Sequence, residues 1–282
     1  MTLATIGSTL TVSTVPLTVA SVIGAIKTAM SAATVPTVAA PYTVTTTMFD
    51  DMSASGYVIY QVITDSTKLK GVAYLRINVT ATASAITLTH SLSDTWNATT
   101  HTVVAGQSPA GTNGTFSSTF NINNPINFTP IKHPEAQLVL VDQGGTTPFA
   151  YVGWMRPFFK PIEWDESACP YLFIPANEFL ITYHGVHYNL FPFTGANGVS
   201  MVPHVQYQKV NKISGLPPIK TGPLELLVLT ANEGGCGSFS SDLAIGGCAN
   251  IPRIINTVTT ATGTYTILSS YGVAASLLIQ TA

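Results

Sequence analysis

The chain has 282 residues and a formal charge of −2, and only 9% of its residues are charged while 46% are hydrophobic; ordinary globular domains carry roughly 25% charge. Eleven Lys and Arg against thirteen Asp and Glu, with no basic run, exclude a surface built to neutralise several phosphates, so nucleic acid is not an expected partner. A surface of Thr, Ser, Asn and Gly in place of ions lacks the charge that keeps a free monomer soluble, and predicts that much of it is covered by neighbouring subunits or presented in a rigid neutral form outside the cell.

The lead, residues 1 to about 47, is rich in Thr, Val and Ala and nearly free of charge. It is read either as an extended arm that adds strands to a neighbour or as the first strands and one helix of the same domain. Val19, Val22, Ile23, Ile26 and Met30 recur at helical spacing, which predicts a short helix from Val19 to Met30. Pro16 precedes it, and Val35 before Pro36 ends it. The segment "VASVIGAIKTAMSAATV" is interrupted by Lys27 and by Ser and Thr, and no run of about 20 apolar residues occurs, so no membrane partner is expected. "MTLATIGSTLTV" has no basic start, which predicts that no secretory signal is present.

Strands follow. "YVIYQVITD" (57–65), "VAYLRINVTAT" (72–82) and "ITLTHSLSDTW" (86–96) alternate in period two. "AGQSPAGTNGTFSSTFNINNPINFTP" (105–130) is read as a long polar loop, and "AQLVLVDQGGTTPFAYVGWMR" (136–156) as two strands about a Gly-Gly turn. Further strands are expected at 179–191, 198–210, 224–231, 253–260, 263–270 and 273–281. Short strands split by Gly, Pro and Asn turns predict a mainly β fold, an antiparallel β-sandwich or jelly-roll-like barrel with one short N-terminal helix. The division expected is 1–47, 48–148 and 149–282, or one continuous β domain.

The candidates for chemistry are few, and each has a plainer reading. His184 and His187 with Glu178 would face one metal on a helix, but a strand sends an i, i+3 pair to opposite faces. Cys169 near either histidine lacks a positive setting, since Glu163, Asp165 and Glu166 precede it. Asp50-Asp51, Asp165-Glu166 and Glu233 are considered as a glycosidase couple, and adjacent acids are more often solvated. Phosphate-loop, dinucleotide-binding and serine-hydrolase patterns are absent from the sequence, so no enzyme activity and no cofactor is expected. Cys236 and Cys248, in "EGGCGSF" and "IGGCANI", are a disulfide candidate, against two reduced thiols beside turn glycines. Four sequons, at Asn78, Asn97, Asn113 and Asn127, fall within the chance expectation of a Thr- and Asn-rich chain.

The most distinctive segment is "YVGWMRPFFKPIEWDESACPYLFIP" (151–175). Four prolines break regular structure there, and Trp154, Phe158, Phe159 and Trp164 are placed to pin an extended crossing. Arg156 and Lys160 lie near Asp165 and Glu166 for pairing, and these eight residues are the interface candidates. In a chain this poor in charge such a concentration suits a docking surface, where buried ion pairs add specificity.

In texture the chain resembles virion structural proteins of tailed bacteriophages, of the tail, baseplate and neck type. The stretches that carry the likeness are "TLATIGSTLTVSTVPLTVASV", "GTNGTFSSTFNINNPINFTP" and "TATGTYTILSSYGVAASLLIQTA". The resemblance implies a virion component made in the host cytoplasm, with copies of itself and other virion proteins as partners. The alternatives are a jelly-roll capsid or decoration protein, and a carbohydrate-binding or adhesin-type sandwich that would hold a host-surface glycan on aromatics such as Trp96, Tyr188 and Phe193.

Overall fold

The computed structural model describes residues 4–33, 43–65, 70–93, 96–102, 113–133, 136–143, 149–153, 156–157, 171–173, 180–183, 186–189, 227–230, 234–238, 243–246, 257–260, 263–271 and 275–281. The described chain is mainly β, with antiparallel sheets and a single α-helix among those residues.

Two short strands, β1 (Thr5–Ile6) and β2 (Leu10–Val12), open the chain. The helix α1 (Val19–Ala33) follows, three residues longer at its C-terminal end than the apolar periodicity predicts. Its start is fixed by a reciprocal cap. The Ser21 N–H donates to Thr18 Oγ1 and the Thr18 N–H donates to Ser21 Oγ, both at 3.1 Å, which satisfies backbone donors that a helix end otherwise strands. The buried stripe is Val22, Ile23, Ala25, Ile26, Ala29, Met30 and Ala33. Each of its larger aliphatic side chains contributes roughly 1.5–3 kcal/mol by leaving water.

The next five strands form a meander: β3 (Thr43–Met52), β4 (Tyr57–Asp65), β5 (Lys70–Ala81), β6 (Ala85–Ser93) and β7 (Asn113–Asn121), each paired with the next. A 3-10 turn, Ser53–Ser55, joins β3 to β4 and closes on Gly56. Gly56 has φ +85°, and a Cβ there would lie 3.1 Å from the Val79 carbonyl oxygen, so both backbone conformation and space demand glycine. Alternation sends Val58, Tyr60, Leu75, Ile77, Val79, Ile86, Leu88 and Phe120 into the core.

A second sheet is built on β8 (Ile126–His133), with β9 (Ala136–Asp142) and β10 (Phe149–Gly153) on one side and both β1 and β2 on the other. Phe128, Thr129, Pro130 and Ile131 are buried in succession, so β8 is covered on both faces, and α1 packs on β8, β9 and β2 as well as on β5. Gln143 is buried just past β9. Its amide accepts from the Asn121 N–H at 2.7 Å and donates to the Asn121 and Asn124 carbonyls at 2.8 Å each. A side chain thereby completes the backbone pairing of the turn from β7 to β8.

One reading changes here. The polar stretch 105–130 holds β7 and most of β8; only residues 105–112 of it lie outside the described chain. Its Gly- and Asn-rich composition hides a period-two pattern in which Ser118 and Phe120 are both buried. The lead's first strands pair within the chain, Thr5 opposite Lys132 and Leu10 opposite Phe128. The boundary placed at residue 47 falls inside β3, and the one at 148 falls within the antiparallel pair β9–β10, where Phe149 lies opposite Leu140.

Beyond residue 153 the described strands are mostly short: β11 (Arg156–Pro157), β12 (Tyr171–Phe173), β13 (Leu180–Tyr183), β14 (Val186–Asn189), β15 (Leu227–Thr230), β16 (Gly234–Ser238), β17 (Leu243–Gly246), β18 (Thr257–Thr260), β19 (Gly263–Tyr271) and β20 (Ala275–Gln280). They form antiparallel sheets in the orders β11-β16-β15, β12-β13-β14 and β17-β20-β19-β18. The Ala4 N–H donates to the Gln280 carbonyl at 3.1 Å, linking the lead to the last strand.

Candidate functional site

Most residues singled out in the 151–175 segment, Trp154, Phe158, Phe159, Lys160, Trp164, Asp165 and Glu166, lie outside the described residues, as does Cys248. Arg156 lies on β11 opposite Ser238 of β16, and Cys236 lies within β16. His187 lies on β14 opposite Thr182, while His184, Cys169, Glu178 and Glu233 lie outside the description.

What the described structure brings together is a polar cluster at the β3 edge of the meander. β3 carries a bulge between Met48 and Asp50, so Asp50 stands opposite Ile59 and Asp51 opposite Val58. Successive strand residues face opposite ways, and the two adjacent acids therefore part company. Asp51 reaches Lys27 on α1 in an ion pair at the surface and also accepts from the Ser53 N–H. These bonds, Lys27 first and Ser53 next, hold its carboxyl below the usual carboxylate range. The pair of acids cannot form the couple a glycosidase needs, and the period-two rule applied to positions 50 and 51 already contains that answer.

Asp50 is buried at 9% exposure. Its Oδ2 accepts from the Trp96 indole Nε1 at 3.2 Å and lies 2.6 Å from His101 Nδ1. The segment that delivers these partners is tightly tied. Asn97 pairs with Thr102 across a bridge, the Asn97 side chain accepts from the Thr99 and Thr100 N–H groups, and the Thr100 and Thr102 hydroxyls are 2.7 Å apart. His101 takes φ +54°, a left-handed conformation that histidine tolerates better than most residues. Trp96, one of the aromatics considered for stacking a sugar, is buried and occupied by Asp50, so it is not a stacking platform.

The arrangement orients an imidazole: Nδ1 is engaged by a buried carboxylate and Nε2 is the ring nitrogen left to other partners. Among the described residues no hydroxyl or thiol is bonded to that nitrogen, and no group of three metal-binding side chains occurs. The same face of the meander carries Arg76, whose guanidinium lies over the Tyr57 ring with Cζ 4.2 Å from the centroid. Phe49, at the bulge, meets Tyr74 edge-on at 4.9 Å. Beyond these, the face is a hydroxyl ladder: Thr87 with Thr119 at 3.1 Å and Thr89 with Ser117 at 2.9 Å.

On the core side two titratable groups are displaced by burial. The Tyr60 phenol is pushed far above its usual value, chiefly by burial and secondarily by the charge of Asp51, and its hydroxyl has no hydrogen-bond partner among the described residues. His90, 6% exposed, is pushed down to about 4 by burial.

Fold and cluster together define a mainly β, antiparallel protein with an ion-poor, hydroxyl-rich sheet face. No protein-family model matches the chain, and no curated protein matches it.

Proposed function

We propose that this chain is a structural component of a virus particle, of the tail, baseplate or neck type of a tailed bacteriophage, and that it works through symmetric assembly of its own copies. The observation that carries the reading is the placement of the few charges. With 9% charged residues in all, the described Lys27 is paired with Asp51, Asp50 is held by Trp96 and His101 within the chain, and the sheet face of the meander carries rows of Thr and Ser beside Arg76. Such a face buries against a neighbour while desolvating few ions, whose removal from water is costly. Closed point-group symmetry is the usual outcome of self-association. The 151–175 segment, with its prolines, aromatics and charges, is proposed as a second docking element of the same assembly.

Light scattering on the eluting protein tests the reading. A discrete oligomer is expected; a stable monomer persisting at high concentration refutes assembly. Electron microscopy of particles from the native source, with the chain identified in them by mass spectrometry, tests the virion assignment separately.

A further inference from the structure

The lead forms an outer edge of the second sheet. β1 and β2 lie along one side of β8 and β9 takes the other, and among the described residues no strand pairs with the far side of β2. The Gly7 N–H donates to the Pro130 carbonyl at 2.7 Å, so residues 126, 128 and 130 of β8 turn their backbone groups toward the lead. Leu10 opposite Phe128 and Val12 opposite Ile126 are therefore the bonded pairs of the antiparallel ladder. Thr11 between them turns its N–H and C=O outward. Those two groups open onto a groove of about 360 Å³ between β2 and α1, where the helix presents Ser21, Gly24 and Thr28. A Cβ on Gly24 would meet nothing within 4 Å, so the space beside the strand is free. Strand edges recruit other strands unless charge, proline or a bulge blunts them. Residues 8–14 contain neither charge nor proline, and Lys27 is the first charged side chain of the sequence.

We infer that this edge pairs with the same edge of a second copy, β2 running antiparallel to its counterpart about a two-fold axis at Thr11. The inference rests on the assembly reading above and adds a surface to it. The choice of a second copy follows from the sequence of the edge itself. Residues 8–14 read "STLTVST", which has the same chemical order in both directions. Antiparallel pairing centred on Thr11 sets Ser8 against Thr14, Thr9 against Ser13 and Leu10 against Val12, so hydroxyl meets hydroxyl and aliphatic meets aliphatic. Thr11 meets itself, and its outward N–H and C=O exchange two bonds with the same groups of the copy. A two-fold interface requires just this self-complementary patch, whereas a strand from an unrelated protein would not need it. The axis stands normal to the sheet and keeps its faces in common. Leu10 and Val12, half-buried on the α1 side, then lie beside the copy's Val12 and Leu10, and the small side chains of α1 leave the groove free to take them. Main-chain bonds supply the attraction and the alternating side chains set the register.

The experiment compares the full chain with Thr11→Pro and Gly24→Glu by sedimentation velocity over a range of concentrations, with thermal unfolding as the control for folding. Proline at position 11 removes the outward donor and no bond to β8, a placement that edge strands tolerate. Gly24 is exposed in mid-helix, and glutamate there is the better helix former while it carries a charge into the groove. The expected result is a dimer, or a larger oligomer of even subunit number, in the parent. Both variants should associate at least roughly tenfold more weakly, or by about 1.4 kcal/mol, and Gly24→Glu should melt no lower than the parent. If Thr11→Pro does not fold, Gly24→Glu decides alone: lost association supports the edge and intact association overturns it. An oligomeric parent whose variants assemble equally well, or one of odd subunit number, overturns this edge and leaves the assembly reading standing. A parent that is monomeric throughout overturns both, and leaves the edge to a strand from another protein.

Discussion

Acidification should weaken this fold through one buried imidazole. His90 lies on β6 between Ile77 of β5 and Phe116 of β7 in cross-strand register, on the core face of the meander, and burial lowers its folded-state pKa from 6.5 to about 4. In the unfolded chain the same ring charges at its ordinary value. The unfolded state therefore binds the extra proton as pH falls below 6.5, and the folded state refuses it until about pH 4. Stability is fully present above the unfolded value and is lost on the way down through that window. At about 1.4 kcal/mol per pH unit, the loss reaches about 2 kcal/mol near pH 5 and about 3 kcal/mol when complete. Urea unfolding at a series of pH values measures it. The parent should lose stability between pH 6.5 and 4 with a limiting slope near one proton, and His90→Gln should remove most of that slope whatever it does to the absolute stability. Equal slopes in parent and variant would refute the reasoning, because the remaining histidines are common to both chains.

Three further outcomes follow from the backbone. Thr18→Ala removes the oxygen that caps α1 and should cost about 1 kcal/mol in chemical denaturation. Gly56→Ala forces a Cβ into a left-handed conformation beside the Val79 carbonyl and should lower stability by about 1–2 kcal/mol, read as a fall in melting temperature. Gln143→Leu leaves the Asn121 N–H and two carbonyls of the β7–β8 turn without their partner, and should cost about 1–3 kcal/mol in the same denaturation assay.

The strand content was open to reading where alternation is strong. The range 57–65 coincides with β4, and the runs beginning at 72 and 86 fall within two residues of the starts of β5 and β6. β7 and β8 were hidden because Asn, Gly, Ser and Pro weigh against strands in isolation, whereas here Ser118 and Pro130 are buried beside neighbours that only the tertiary fold supplies. The register of β1 and β2 on β8 was beyond local pattern, since no periodicity in residues 5–12 points to residues 126–132. At the cluster, Asp50 and Trp96 were each noticed for other roles. Their union with His101 depends on a bulge at residue 49 and a turn at residues 97–102, neither of which has a distinctive spacing. Arg76 was one of eleven scattered cations until the sheet showed that its neighbours are neutral.

The pairing of β1 and β2 with β8 also sets an order of events on the ribosome. β3 to β7 are joined by contacts between sequence neighbours, so the meander can zip up hairpin by hairpin as residues 43–121 emerge. The lead is made first and has no strand to lie against until residues 126–132 exist, and Ala4 waits longer still for Gln280. Closing so long a loop is slow compared with a hairpin. Through that interval the apolar stripe of α1 lacks the β8 and β9 surface that covers it in the finished chain. The nascent protein thus passes through a stage in which its lead is the exposed, adhesive part, and β8 is the strand whose synthesis brings that stage to an end.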